Sequence, residues 1–178
     1  MKSTIKIILM FGILVFTACK QEPKKDPVKE VVKNEPTTKS GVTVVNYDQL
    51  LPWLEKQDDK THVINFWATW CKPCVEELPA FEKLHAEYAN KNVEVVLVSL
   101  DFPNQIESEL VPFIKNRNLQ PEVVVLDDPN QNKWINGISK DWSGSIPATL
   151  IYNKNERGFY EQSFDYSSLT QELNKFLN

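Results

Sequence analysis

The apolar residues of this chain fall into two patterns that alternate from about residue 42 onward. Short runs of branched apolar residues predict β-strands, and apolar residues at spacings of three and four predict α-helices. The predicted strands are residues 42–45, which we expect to be a short edge strand, 62–67, 93–100, 122–126, 148–152 and 158–164. The predicted helices are residues 47–57, 71–90, 104–118, part of 128–142, and 168–177.

Some of these elements carry more specific expectations. The near-continuous apolar run 93–100 is typical of a strand that is buried on both faces. We expect Pro79 to kink the second helix and Pro112 to interrupt the third, because proline has no N–H to donate. The last helix is amphipathic, and four of its residues are expected to face inward: Leu169, Leu173, Phe176 and Leu177.

Residues 1–18 are predicted to be a targeting segment. Lys2 and Lys6 precede an apolar stretch, residues 7–16, that is too short to span a bilayer. Small residues then lead to Cys19, a pattern similar to bacterial lipoprotein signals, in which this cysteine is lipidated and becomes the mature N-terminus. An ordinary cleaved secretory signal with an incidental cysteine is the alternative. Both interpretations place the rest of the chain where disulfide chemistry is permitted.

Residues 19–41 are predicted to be the lipidated cysteine and a disordered tether. From residue 20 to 41 the chain has no aromatic residue and is rich in Lys, Glu, Pro and Thr, so it cannot bury enough apolar surface to offset the entropy of ordering. Residues 42–178 are enough for one domain with a single core. This domain has twelve Lys and Arg against twenty Asp and Glu. Such an acidic domain argues against nucleic acid as a partner, which requires basic patches.

Residues 66–74, with the sequence FWATWCKPC, join a predicted strand to a predicted helix and contain two cysteines. Cys71 and Cys74 lie one helical turn apart, close enough to form a disulfide with little backbone movement. The free N–H groups at the helix N-terminus favour the thiolate form of Cys71, and Lys72 adds a positive charge. Pro73 falls in the first turn, where its missing N–H has no cost. The segment therefore predicts a pair that makes and breaks one disulfide.

The cysteine pair has two other interpretations. A zinc site would need two more ligands, usually a second cysteine pair or a histidine pair. The third cysteine is Cys19, and His62 and His85, which we expect at the surface, are isolated from each other in sequence. Two inert buried thiols are the other alternative, but the position between strand and helix favours exposure. We therefore expect no metal site.

Two stretches resemble the thioredoxin superfamily and, within it, the membrane-tethered TlpA/ResA-like thiol-disulfide oxidoreductases. They are residues 63–79, VINFWATWCKPCVEELP, and residues 144–150, GSIPATL, and the resemblance extends over about residues 42–178. It implies an α/β fold, a thioredoxin-like three-layer α/β/α sandwich with a central mixed sheet, which the alternation of strands and helices also favours. Residues 104–126 look like the helix and strand that this family inserts.

The resemblance also implies roles for individual side chains. Cys71 would attack a substrate disulfide as the nucleophile, and Cys74 would resolve the mixed disulfide. Glu77 matches a glutamate of the TlpA/ResA-like pattern and could accept the proton of Cys74. A solvated helix glutamate, as we expect for Glu76, is the alternative. Asn65 stands where thioredoxins proper have a buried aspartate, and it cannot titrate.

Substrate contacts are implied on both sides of the cysteine pair. In the family, the proline that matches Pro147 is cis and faces the disulfide, and the backbone before it, here Ile146, pairs with substrate as an added strand. A trans proline that starts a strand is the alternative. Trp70 would shield the disulfide and contact flexible partners, with simple packing as the alternative. Lys72 and Pro73 complete the expected contact surface.

The resemblance implies an exported enzyme that reduces disulfides of protein substrates through its own cysteines, with no cofactor. It implies a membrane thiol as electron donor and a role such as cytochrome c maturation, with the protein lipid-anchored on the periplasmic side of the cell envelope, or soluble there or secreted if Cys19 is not lipidated. We expect a monomer. Three alternatives stay open: a disulfide-forming oxidant, a thiol peroxidase, for which Ala68 stands where a threonine is expected, and a copper-binding chaperone.

Overall fold

The computed structural model describes residues 35–177, which form a seven-stranded sheet with helices on both faces. The predicted signal peptide, Cys19 and most of the predicted tether lie outside this range. The strands are β1 (Thr37–Lys39), β2 (Val42–Val45), β3 (Thr61–Trp67), β4 (Val93–Ser99), β5 (Glu122–Leu126), β6 (Ala148–Tyr152) and β7 (Arg157–Tyr160). The α-helices are α1 (Tyr47–Leu54), α2 (Lys72–Tyr88), α3 (Val111–Arg117), α4 (Gln131–Ile138) and α5 (Tyr166–Leu173).

The sheet is mixed, as predicted, with the order β1-β2-β5-β4-β3-β6-β7. Strands β2, β5, β4 and β3 run parallel to one another, whereas β1, β6 and β7 pair antiparallel with their neighbours. Strand β3 lies between β4 and β6, and all of its residues are buried. The chain leaves the carboxyl end of β3 at Trp67 and enters α2 at Lys72, so the cysteine pair lies at that end of a fully buried strand.

The alternation of side chains along the strands divides the core into two layers. On one face, Val63 and Trp67 of β3 pack with α2, α3 and α5. On the other face, Ile64 and Phe66 pack with α1 and α4. The two helical layers around one sheet confirm the predicted three-layer α/β/α sandwich.

The prediction that residues 42–45 form an edge strand is wrong, because β1 pairs with them. Ser40 and Gly41 both have positive φ angles, 48° and 91°, and connect Lys39 directly to its partner Val42. A two-residue turn of this kind closes a hairpin. Strand β1 lies inside the range that was predicted to be a disordered tether. It has no apolar residue, so the pattern of apolar residues could not predict it.

The end of the chain differs from the prediction in two places. Strand β7 ends at Tyr160 rather than at residue 164, because the chain leaves the sheet and buries Phe164 against α2 instead. Leu177 was expected to face inward, but 37% of it is exposed. Helix α5 tightens into a 3₁₀ turn after Leu173, and because a 3₁₀ turn rotates the chain further per residue than an α-helix does, Leu177 falls outside the apolar side of α5.

The predicted helix 104–118 is two elements. Residues Ile106–Leu110 form a π-helical stretch, and α3 follows directly with Pro112 in its first turn, so the helical chain changes type just before Pro112 and is not interrupted at it. Helix α2 continues through Pro79 as one element. Within residues 35–177, no helix is long and apolar enough to cross a membrane.

Candidate active site

Cys71 and Cys74 form a disulfide at the start of α2, with their Cα atoms 5.3 Å apart. Cys71 is the N-cap residue of the helix and Cys74 lies in its first turn. Cys74 is fully buried, whereas Cys71 keeps 6% of its surface exposed. Cys71 is therefore the cysteine of the pair that a molecule outside can reach, which is the position that its predicted role as nucleophile requires.

The start of α2 presents one backbone donor to the Cys71 sulfur and a second to the Cys71 carbonyl. The N–H of Cys74 lies 3.3 Å from Cys71 Sγ, and the N–H of Val75 donates to the Cys71 carbonyl at 3.0 Å. When the disulfide is reduced, this geometry stabilises a thiolate on Cys71, because the helix N-terminus favours negative charge. Lys72 contributes less, since its ammonium is 87% exposed and lies 3.7 Å from Glu76.

The Ile146–Pro147 peptide bond is cis, which the resemblance predicted. The carbonyl oxygen of Ile146 lies 3.7 Å from Cys71 Sγ, so the loop before β6 and the start of α2 meet at the disulfide. Residues 71–74 and 146–147 are more than seventy positions apart in sequence. The sheet brings them together, because β6 pairs antiparallel with β3 and Ala148 lies opposite Phe66.

Glu77 lies one turn after Cys74 and is almost completely buried, with 4% of its surface exposed. Its carboxylate accepts hydrogen bonds from the Phe164 N–H at 2.8 Å and from the Asn65 side-chain amide at 2.7 Å. Burial raises the pKa of Glu77 to about 7, against the lowering effect of these two hydrogen bonds. Glu77 can therefore exchange a proton near neutral pH. Its neighbour Glu76 is exposed, as expected.

Asn65 is fully buried on β3 and connects Glu77 to β6. Its side-chain nitrogen also lies 3.2 Å from the Thr149 hydroxyl and 3.5 Å from the Ala148 carbonyl. Its Oδ1 has no hydrogen-bond partner among residues 35–177. Asn65 thus orients the Glu77 carboxylate, a role that the sequence did not indicate.

A second buried carboxylate, Asp101, was not predicted and holds the loop before Cys71 in place. Asp101 is 2% exposed and follows β4. It accepts hydrogen bonds from the Thr69 N–H at 3.2 Å and the Ser99 hydroxyl at 2.7 Å, and the Thr69 hydroxyl also donates to it. The sequence does contain a feature that indicates this role: Asp101 comes shortly after the buried strand β4, which runs parallel to β3. Residues that follow neighbouring parallel strands lie at the same edge of the sheet, so Asp101 is expected near the cysteine loop that follows β3.

Trp70 lies at the surface beside the disulfide rather than in the core. Its side chain is 52% exposed and stacks against Phe102, which is 57% exposed, with ring centroids 6.2 Å apart. Phe102 comes from the loop after β4 and was not predicted to belong to the site. The structure thus places Trp70 and Phe102 together, and Lys72 and Pro73, which follow Cys71 in sequence, are also exposed.

His62 was expected at the surface, but the structure buries it at the other end of β3, with 1% exposed. Its Nε2 lies 2.8 Å from Asp58 Oδ1, and its ring stacks on Tyr152 with centroids 4.8 Å apart. The turn that carries Asp58 supplies the partner that lets a histidine be buried. His85 is half-buried on α2. Within the described range no three His, Cys, Asp or Glu side chains are grouped to hold a metal ion.

A model of the AhpC/TSA family matches residues 42–157, which is more than half of the chain. The thiol-disulfide oxidoreductase ResA of Oceanobacillus iheyensis is 35% identical over 100 residues, which cover 56% of this chain and 52% of that protein. The thioredoxin-like protein YneN of Bacillus subtilis is 46% identical over 102 residues, which cover 57% of this chain and 55% of YneN. The matches therefore span about half the length of these relatives.

Solved structures show the same fold. A thiol:disulfide interchange protein of the thioredoxin family from Chlorobium tepidum superposes with a TM-score of 0.58 at 18% identity, covering 81% of this chain and 98% of that one. StoA from Bacillus subtilis superposes with a TM-score of 0.53 at 21% identity, covering 66% of this chain and 84% of StoA. At these identities the likeness establishes the thioredoxin-like fold alone.

Proposed function

The chain belongs to the AhpC/TSA family and has a thioredoxin-like fold, and from this premise we propose that it is a thiol-disulfide oxidoreductase that reduces disulfides in proteins. The observation that carries the proposal is the Cys71–Cys74 disulfide at a helix N-terminus, with the cis Ile146–Pro147 bond beside it. The names of the relatives, ResA among them, support the same activity.

The reaction begins with the reduced pair. The Cys71 thiolate attacks one sulfur of a client disulfide, so that a mixed disulfide forms and the other client sulfur leaves as a thiolate. Cys74 then loses its proton and attacks Cys71 Sγ, which breaks the mixed disulfide and releases the second client thiolate. The client gains two electrons, and Cys71 and Cys74 end as the disulfide seen in the structure.

Glu77 is proposed to accept the proton that Cys74 loses. It lies one turn away on the same helix, and its pKa of about 7 matches the proton affinity that transfer at neutral pH requires. The two donors Asn65 and Phe164 N–H hold its carboxylate in place but bring no positive charge. The proton can therefore be taken up and released without an ion pair being broken.

The client is proposed to bind along the loop before β6. The Ile146 carbonyl lies beside the Cys71 sulfur just before the start of β6, where an extended client segment can add a strand. Trp70, Pro73 and Pro147 offer the surface around the sulfur. Lys72 is a weaker contact, because its exposed ammonium is free to turn toward Glu76.

Reduction rather than oxidation is proposed because the family resemblance and the Lys-Pro pair between the cysteines favour it. The oxidised pair must then be reduced again by a thiol donor in the membrane. Residues 1–19 support a position outside the cytoplasm with a lipid on Cys19, and cytochrome c maturation is a candidate process. Labelling cells with a radioactive fatty acid tests the anchor: the label is expected on the protein and lost in Cys19→Ala.

A thiol peroxidase would share this fold. The exchange reaction is favoured over it because Cys74 lies in the same helical turn as Cys71 and bonds to it, and because Ala68 stands where a peroxidase is expected to have a threonine. If the reduced protein reacts faster with hydrogen peroxide than with a protein disulfide, the peroxidase would become the favoured function.

Trapping in cells tests the proposal. Cys74→Ala should accumulate mixed disulfides through Cys71, because the resolving thiol is absent, and mass spectrometry should identify client cysteines. The matched control is Cys71→Ser with Cys74 intact, which should trap nothing, since Cys74 is buried. Equal trapping by both variants, or by neither, would contradict the assigned roles.

A further inference from the structure

A groove of about 320 Å³ opens beside the disulfide. Its lining includes Trp70, which precedes Cys71 in sequence, and Ile146, whose carbonyl oxygen lies 3.7 Å from Cys71 Sγ. From there it runs along Phe102 and α4 to the loop after β5, where Asp127 lies. We call this the Asp127 groove, defined by Trp70, Phe102, Trp134, Ile135, Ile146 and Asp127.

The groove has an apolar part next to the disulfide. Three large apolar side chains of the described residues are markedly exposed, namely Trp70, Phe102 and Leu177, and two of them stack together here. Exposed aromatic rings beside a reactive group indicate a contact surface, because leaving them in water loses the free energy of their burial. A large apolar side chain next to a client cysteine would cover both rings.

The lining of the groove is acidic as well as apolar. Three of its lining residues are aspartates, and none is Lys or Arg. Asp101 accepts its hydrogen bonds from Thr69 and Ser99, and the Asp128 carboxylate accepts the backbone N–H groups of Tyr47 and Asn130. These two carboxylates already serve the fold.

Asp127 is different, because its side chain is exposed and has no hydrogen bond or ion pair within residues 35–177. Lys133 on the adjacent helix is held by Asp48 at 2.6 Å. An unpaired carboxylate at the end of an apolar groove attracts a cation that arrives with the client.

We propose that the Asp127 groove binds the client segment around its reacting cysteine, and that it selects segments with a large apolar residue next to the cysteine and a Lys or Arg a few residues away. This inference rests on the proposed function, because it names the class of client for the same disulfide. The apolar contact supplies affinity, and the charge of Asp127 discriminates between clients of similar shape.

Two synthetic peptide disulfides test the inference. Both peptides have phenylalanine beside the cysteine. Their sequences differ only at the positions two and three residues from the cysteine on each side, which are lysine in one peptide and glutamate in the other. The purified protein should reduce the lysine peptide roughly five- to tenfold faster than the glutamate peptide in kcat/KM. Asp127→Asn should lower this ratio by roughly two- to fivefold, the range expected for one exposed charge pair. Phe102→Ala should slow both peptides by roughly two- to tenfold and leave the ratio unchanged.

The matched control is Glu156→Gln, which also removes one exposed carboxylate but lies in the turn after β6, at the end of the sheet where Tyr152 pairs with His62. It should keep the ratio of the unaltered protein. If Glu156→Gln lowers the ratio as much as Asp127→Asn does, the preference reflects net charge and the groove is not the cause. A ratio of one in the unaltered protein would also overturn the inference.

Binding without exchange separates this inference from the proposed function. The same peptides with serine in place of cysteine are titrated into the oxidised protein, and backbone amide signals are followed by NMR. The lysine peptide is expected to shift the signals of Phe102, Asp127 and Trp134 more than the glutamate peptide does. Such shifts without any peptide reduction would contradict the function and support the groove. Peptide reduction without these shifts would support the function and contradict the groove.

Discussion

Glu77 is a buried glutamate of α2 that bonds to Asn65 of β3, whereas Glu94 is a half-buried glutamate of β4 that lies opposite His62, nearer the other end of β3. The pKa values of the two carboxylates shift in opposite directions. Burial by itself favours a raised pKa in both glutamates, but the hydrogen-bond partners decide the net direction. Glu77 has only neutral donors, and its pKa is raised to about 7. Glu94 accepts hydrogen bonds from Lys56 at 2.5 Å and Lys60 at 3.0 Å, and its pKa is lowered.

The difference shows which end of the sheet can move a proton. At the far end the half-buried carboxylate of Glu94 has two lysine partners, and the buried His62 ring has Asp58 as a hydrogen-bond partner. These contacts secure the fold. At the disulfide end the buried carboxylate of Glu77 has no ion-pair partner within residues 35–177, and its pKa of about 7 makes its proton exchangeable at neutral pH. Function and structural stability are thus assigned to opposite ends of the same strands.

The largest expected effect is on the rate of disulfide exchange, when the carboxylate of Glu77 is removed. Glu77→Gln should slow the resolution of a mixed disulfide at pH 7 by on the order of a hundredfold, because Cys74 loses its proton acceptor. In the unaltered protein the rate should rise as the pH passes about 7, and in the variant the rise should move to higher pH, where the thiol ionises by itself. Stopped-flow measurement of the second step checks both results.

The natural control is Glu76→Gln on the same helix, one residue earlier and exposed. It should leave the rate and its pH profile unchanged. An unaltered profile in Glu77→Gln as well would remove Glu77 from the mechanism.

The second effect is on stability. Because the folded pKa of Glu77 lies above its unfolded value, the folded protein binds more protons, and stability should fall as the pH rises from about 4.5 through about 7. A shift of this size corresponds to about 3 kcal/mol over that window. Glu77→Gln should lose this part of the pH dependence. Urea unfolding of both proteins from pH 4 to 8 measures it, and parallel curves would contradict the raised pKa.

The smallest effect is expected at the far end. Glu94→Gln should cost about 0.5–1 kcal/mol, because its two lysine partners are partly exposed. The sign of the pH dependence is opposite: Glu94 stabilises the fold above its unfolded pKa, and this contribution is lost as the pH falls through the lowered folded pKa. The exchange rate should not change. A slower exchange reaction in this variant would mean that the two ends are coupled.

The sequence was sufficient where a local pattern carries the information. The spacing of Cys71 and Cys74, the apolar runs of β4 and β5, and the buried helix residues Leu169 and Leu173 could be read from the chain alone. The cis bond before Pro147 needed the family resemblance, because most bonds before proline are trans and composition does not reveal the isomer.

The sequence was insufficient where a residue depends on a distant partner. His62 is polar and was placed at the surface, since the turn that brings Asp58 to it has no pattern of its own. Asp101 and Phe102 belong to the site only because β4 ends beside the cysteine loop. The Phe164 N–H reaches Glu77 because β7 ends early, which alternation of apolar residues could not show.

The most direct test is the reduction potential of the Cys71–Cys74 pair, measured by equilibrating the purified protein with defined thiol-disulfide buffers at pH 7. A reversible couple near or below roughly −250 mV, in the range of thioredoxin, is the predicted result for a reductase. A value near about −120 mV would make the protein an oxidant and contradict the proposed direction. Failure of the pair to form and break its disulfide reversibly would contradict the oxidoreductase itself.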